Sequence, residues 1–151
     1  MKITDILKPE LVVMDVEASS KKQLLEKISE VATPATGLET QIIFDALIER
    51  ERLGTTGIGK GVAIPHARLA GLKDLFCAFF KVPAVDFEAI DGEKVDLVFC
   101  LLVPEESGAD HLKALARISK ILRNEDVCAA LRNAQTSAQA LAVIASTDDE
   151  D

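Results

Sequence analysis

The chain has 151 residues, 48% apolar and 28% charged, the balance of a single globular domain long enough to bury a core. Its net charge is −8 and it contains neither Trp nor Tyr. Such a chain repels phosphate backbones and anionic lipid and offers few stacking platforms, so nucleic acid and membrane surfaces are disfavoured as partners.

Residues 11–16 (Leu-Val-Val-Met-Asp-Val) read as a first strand. Ser19 and Ser20 can cap a helix whose apolar positions Leu24, Leu25, Ile28 and Val31 recur at helical spacing, with Pro34 and Gly37 expected to end it. A second helix is predicted over residues 39–52, with Ile42, Ile43, Ala46 and Leu47 inward and Gly54 as its stop. Three strands follow, over 62–65, 75–82 and 95–103. The last two are nearly continuous apolar runs, which implies strands covered on both faces. Asp91-Gly92 marks a turn between them. After Pro104 the pattern becomes helical, with a stripe of Leu112, Leu115, Ile118, Ile121 and Leu122. Asn124 can cap a short helix through Leu131, and Thr136 or Ser137 a last one through Ile144.

The predicted order, β-α-α-β-β-β-α-α-α, makes an α/β protein. With no helix between the later strands, its sheet should be mixed. Residues 1–145 are expected to form one domain, and the acidic end, 146–151, a disordered tail. Cys77, Cys100 and Cys128 are odd in number and each lies in an apolar run. They read as buried thiols in a reducing compartment, not as a disulfide frame. The N-terminus has no apolar signal-like stretch and no run approaches membrane-spanning length, so a cytoplasmic protein is expected.

The chemistry concentrates in residues 54–68, Gly-Thr-Thr-Gly-Ile-Gly-Lys-Gly-Val-Ala-Ile-Pro-His-Ala-Arg. Histidine is a good nucleophile near neutral pH and a good leaving group. A Pro-His step after a strand-like run holds such a ring, His66, in one place. The loop before it nearly matches a phosphate-binding P-loop, but Gly61 stands where a hydroxyl should hold magnesium. Its context is also reversed, because it follows a helix and opens a strand. It is a flexible connector, or a wall of backbone N–H groups at Thr55, Thr56, Gly57 and Gly59 that a phosphoryl group can approach closely. The second histidine, His111, lies in the first turn of the helix after Pro104, where it is a capping residue or a partner of His66. Arg50, within Glu-Arg-Glu-Arg, either serves a solvated face that suits the helix dipole or clamps a phosphate across the loop. No Cys or carboxylate stands at ligand spacing to either histidine, so no metal is expected. No Ser or Cys nucleophile signature is present.

The stretch from Arg50 through Gly59 and on to Ile64-Pro65-His66 resembles the fructose/mannitol class of enzyme IIA proteins of the bacterial phosphotransferase system, and within it the nitrogen-regulatory branch, EIIA-Ntr. Ala89-Ile90-Asp91-Gly92, residues 95–99, residues 101–104 and His111-Leu112 extend the resemblance over nearly the whole chain. The resemblance implies a three-layer α/β/α sandwich. It implies phosphorylation at His66, with His111 and Arg50 as the matching active-site histidine and arginine, and no cofactor. It also implies an HPr-like phosphocarrier, NPr, as donor, itself charged from phosphoenolpyruvate by an enzyme I paralogue. Regulatory members act, by their phosphorylation state, on targets such as potassium-transport systems and sensor kinases. A sugar-specific component feeding a separate IIB protein, and a binding module without covalent chemistry, are the competing readings.

Overall fold

The computed structural model describes residues 2–148. Two short 3-10 turns lead into strand β1 (Val12–Val13), then helices α1 (Lys21–Thr36) and α2 (Thr40–Arg52). Five strands follow: β2 (Gly57–Gly59), β3 (Val62–Ala63), β4 (His66–Leu69), β5 (Phe76–Val85) and β6 (Val95–Pro104). Helices α3 (Asp110–Arg123), α4 (Glu125–Asn133) and α5 (Ser137–Asp148) close the chain. The order is the expected one with two short strands added, β2 and β4.

The sheet is mixed, as predicted. Its order is β1-β5-β6-β3-β2, with β4 also on β6. β5 and β6 are antiparallel, whereas β1 on β5 and both β3 and β4 on β6 are parallel. Strand β6 is buried along almost its whole length, which requires helices on both faces. Helices α1 and α2 pack on each other and on β5 and β4. The other three pack together and on β6 and β1. This is the three-layer α/β/α arrangement. Phe79 and Phe99, paired across β5 and β6, stack tilted with ring centroids 5.3 Å apart at the centre of the core. Cys77, Cys100 and Cys128 are buried and form no disulfide.

The capping signals acted as read. Ser20 Oγ accepts from Gln23 N, Asn124 Oδ1 from the backbone of Asp126 and Val127, and Thr136 Oγ1 from Gln139 N. Other expectations need correction. Strand β1 is two residues long, because residues 9–11 form a 3-10 turn led by Pro9. Pro34 does not stop α1. It lies on the exposed side, where losing one backbone bond is tolerated, and Gly37, left-handed at φ +74°, ends the helix. Ile42 and Leu112 point outward, not into the core. Helix α5 runs through Asp148, so residues 146–148 of the expected tail are helical; residues 149–151 lie outside the described residues.

The segment 54–61, read as a connector or anion cradle, is instead half of a β-hairpin. Gly57 pairs with Ala63 and Gly59 with Val62. Lys60 and Gly61 make the turn with φ of +57° and +80°, a conformation that favours glycine. The Gly61 carbonyl accepts from Asp96 N and Leu97 N at 3.0 and 3.1 Å. A Cβ at Gly61 would lie 2.6 Å from Arg132 Nη2 and 2.9 Å from Asp96 Oδ1. Arg132 itself holds Asp96 and the Lys60 carbonyl, bolting the hairpin to α4. Gly61→Ala is therefore expected to cost about 1–3 kcal/mol of unfolding free energy in urea melts; a loss below about 0.5 kcal/mol would show that the turn relaxes freely.

Candidate functional site

Residues 62–69 run along one edge of β6 as two short strands, with Val62 opposite Leu97 and His66 opposite Leu101. Pro65, which has no N–H to donate, divides them. His66 thus opens a strand of its own and does not trail the earlier one, as the sequence suggested. Alternation along β4 buries Ala67 and Leu69 and turns His66 and Arg68 to the other side.

That side opens into a cavity of about 570 Å³. Ala46, Glu49, Arg50 and Leu53 of the α2 end form one wall, and His111, Leu112 and Leu115 of α3 the other. His66, Ala67 and Arg68 of β4, with Leu101 and Val103 of β6, make the floor. The fold thus brings His66, His111 and Arg50 together from three separate elements. Leu53 and Leu112, 85% and 60% exposed, give the rim an apolar character.

His66 Nδ1 lies 2.7 Å from the Ile64 carbonyl oxygen. A carbonyl only accepts, so Nδ1 carries the proton and Nε2 keeps its lone pair. Burial, chiefly, holds the imidazole pKa below its ordinary value. Arg50 and His111 push the same way, while the Ile64 hydrogen bond and Glu51 oppose them. The ring is therefore neutral at pH 7, with a directed nucleophilic nitrogen.

Arg50 Nη1 donates to the Gly54 carbonyl at 2.9 Å, tying off the C-terminal end of α2, and the side chain also lines the cavity. The two readings of this residue are thus compatible. Neighbouring Glu51 faces away. Its carboxylate, 5% exposed, pairs with Lys21 Nζ at 3.0 Å and accepts from Thr56 N at 3.0 Å and from Thr56 Oγ1. Lys21 Nζ in turn sits 4.7 Å above the Phe87 ring. This buried knot joins the start of α1, the end of α2 and the entry to the hairpin, and so fixes where Arg50 emerges.

His111 Nδ1 lies 2.7 Å from the Gly108 carbonyl. Arg68, which sequence reasoning passed over, reaches the same ring. Its Nη2 is 3.2 Å from Nδ1 and 3.1 Å from Nε2, and its Nη1 donates to the Glu105 and Ser107 carbonyls at 3.2 and 3.0 Å. Its signal was available: a residue two positions beyond His66 shares its face if the strand continues past Pro65.

The loop residues proposed as a phosphoryl wall take no part in the cavity. Thr55, Thr56, Gly57 and Gly59 are all absent from its lining. Two of the N–H groups are already used, Thr56 N on Glu51 and Gly57 N on Thr55 Oγ1. Thr55 Oγ1 donates to the Phe87 carbonyl. Gly57 is needed for close packing, since a Cβ there would sit 2.8 Å from Ala89 Cα. Gly59 likewise lies against Asp91. Asp110 lines a separate surface hollow. Among the described residues no three His, Cys, Asp or Glu side chains gather as a metal site would require, and no helix is long and apolar enough to cross a membrane.

The family model described as "Phosphoenolpyruvate-dependent sugar phosphotransferase system, EIIA 2" matches residues 5–147. A nitrogen regulatory protein of Bradyrhizobium diazoefficiens is 47% identical over 142 residues, covering 93% of this chain and 92% of its own. One of Pseudomonas aeruginosa is 42% identical over 139 residues, covering 91% and 90%. The crystal structure of the nitrogen regulatory protein IIA-Ntr from Neisseria meningitidis superposes with a TM-score of 0.90 at 36% identity, over 94% of this chain and 98% of that one. The chain belongs to the EIIA 2 family of the phosphoenolpyruvate-dependent sugar phosphotransferase system.

Proposed function

We propose that this protein accepts a phosphoryl group on His66 Nε2 from an HPr-like carrier of the NPr kind, and that its phosphorylation state regulates partner proteins in the cytoplasm. The observation that carries the reading is the His66 ring itself. It is neutral, with Nδ1–H on a backbone carbonyl and Nε2 in a cavity that also holds Arg50 and His111. The regulatory output is supported by the nitrogen regulatory relatives at 47% and 42% identity. Potassium-transport proteins and sensor kinases are the target classes. In the alternative, suggested by the sugar system in the family's description, the phosphoryl group passes on to a IIB cysteine.

In the transfer, Nε2 attacks the phosphorus of the donor's phosphohistidine in line. The new N–P bond forms as the old one breaks, and the departing electron pair stays on the donor's imidazole. The transition state is loose, so the protein's work is positioning and charge stabilisation. As Nε2 bonds to phosphorus, positive charge develops on the ring and the Nδ1–H to Ile64 bond strengthens. The same bond fixes the tautomer. Arg50 leaves the Gly54 carbonyl for the phosphoryl oxygens, and His111 donates a hydrogen bond to the same oxygens. The apolar rim of Leu53 and Leu112 suits a protein donor better than a small molecule.

Incubation with phosphoenolpyruvate, an enzyme I and an HPr-like carrier should add one acid-labile phosphoryl mass, and His66→Ala should abolish it; a labelled His66→Ala protein would overturn the assignment. Arg50→Ala should slow transfer about ten- to a hundredfold, the value of a charge-assisted contact at about 1.5–3 kcal/mol. Unchanged kinetics would leave Arg50 only its helix-end role. Passage of label to a IIB cysteine and on to sugar would favour the alternative over the regulator.

Because the neutral ring is the nucleophile and its pKa is lowered, the acid limb of the rate profile should fall below about pH 6.5, the ordinary histidine value. Arg50→Ala removes a charge that lowers the pKa, so the His66 midpoint, followed by NMR, should rise in that variant. A midpoint above about 6.5 in the unmodified protein would contradict the burial argument.

A further inference from the structure

Arg68 has no part in the transfer as derived so far, yet it occupies the cavity beside the two histidines. Its side chain springs from the same face of β4 as His66. It acts elsewhere, however: the charges that bear on the His66 ring are those of Arg50, Glu51 and His111. Its guanidinium is spent on α3 and the loop before it, through the Glu105 and Ser107 carbonyls and the His111 ring.

The geometry at His111 is specific. The lone-pair directions of the two ring nitrogens diverge within the ring plane. A donor 3.2 Å from one and 3.1 Å from the other therefore lies over the ring face and bonds neither nitrogen in its plane. The Nη2 N–H edge of Arg68 points onto the imidazole. The in-plane bond belongs to Nδ1, which donates to Gly108 O at 2.7 Å. Three restraints, a cation pointing onto the ring, an in-plane acceptor and a loop tied by two carbonyls, act on one half-buried histidine.

We propose that Arg68 is a positioning residue for phosphoryl transfer: its guanidinium, tied through Nη1 to the Glu105 and Ser107 carbonyls and seated through Nη2 on the His111 ring, keeps Nδ1 on Gly108 and Nε2 directed at the phosphoryl group on His66. The inference rests on the reading of His66 as phosphoacceptor. It requires arginine in particular, because an ammonium is a point charge that cannot both bridge two carbonyls and reach the ring. A misplaced donor costs up to about a hundredfold in rate.

The test combines kinetics with NMR. Arg68→Met should fold normally, since the side chain is exposed, and slow transfer from the carrier at least about tenfold. Arg68→Lys should recover little of that loss. Because Arg68 works through His111, the double variant Arg68→Met/His111→Ala should be no slower than His111→Ala alone. Nitrogen-15 spectra of the neutral imidazole in the free protein should show His111 protonated at Nδ1. In Arg68→Met they should show a mixture of tautomers. Additive losses in the double variant would make Arg68 a direct phosphoryl ligand and overturn the proposal, as would unchanged kinetics or an unchanged His111 tautomer. If the unmodified protein took no label, the reading of His66 would fail by itself, and the tautomer spectra would still decide whether Arg68 orients His111.

Discussion

The 2.7 Å bond between His66 Nδ1 and the Ile64 carbonyl decides which ring nitrogen is free for the proposed transfer. It fixes the tautomer, leaves Nε2 with its lone pair and, in the proposed transfer, provides an acceptor for the charge that attack would create. The bond exists because residues 62–69 lie along one edge of β6 and Pro65 divides that run, with the acceptor on one side of it and the ring on the other. The β6 edge is in turn fixed by its own burial between helix layers. The proposed phosphoacceptor is therefore mounted beside a strand buried along almost its whole length, and its partners arrive from helices packed against β4 and β6.

Charge is organised locally, against the trend of the whole chain. The protein carries a net −8, yet its cavity collects Arg50, Arg68, His66 and His111, with Glu49 as its one carboxylate. Such a pocket attracts a phosphoryl group while the surrounding surface repels polyanions. Glu51, adjacent in sequence to Arg50, is kept out of the cavity by Lys21 and Thr56. Its negative charge is used for architecture and only partly offsets the effect of Arg50 and His111 on the His66 ring.

Helices were legible where caps and periodicity agreed. Ser20, Asn124 and Thr136 each cap as expected. Pro34 misled because proline is costly in a helix only where its missing bond and its ring cannot be accommodated. The short strands β2 and β4 escaped notice because glycine-rich and post-proline residues have weak strand propensity, and their pairing is decided by contact with β3 and β6. The same gap hid Arg68, since its sharing a face with His66 follows only once β4 is a strand. The glycine loop looked like an anion cradle because composition does not show where N–H groups point. In the fold, Glu51 and Thr55 use two of them, and glycine serves a tight turn and close packing on Ala89. His66, His111 and Arg50 were singled out by the motif and the family resemblance, and all three line one cavity. Their convergence in one cavity depends on tertiary packing alone.

The central claim is that His66 reacts through Nε2. Nitrogen-15 NMR of the phosphorylated, histidine-labelled protein tests it most directly, by resolving the nitrogen that couples to phosphorus. The account predicts coupling at Nε2 of His66, with Nδ1 still protonated on the Ile64 carbonyl. Coupling at Nδ1, or on His111, would contradict it.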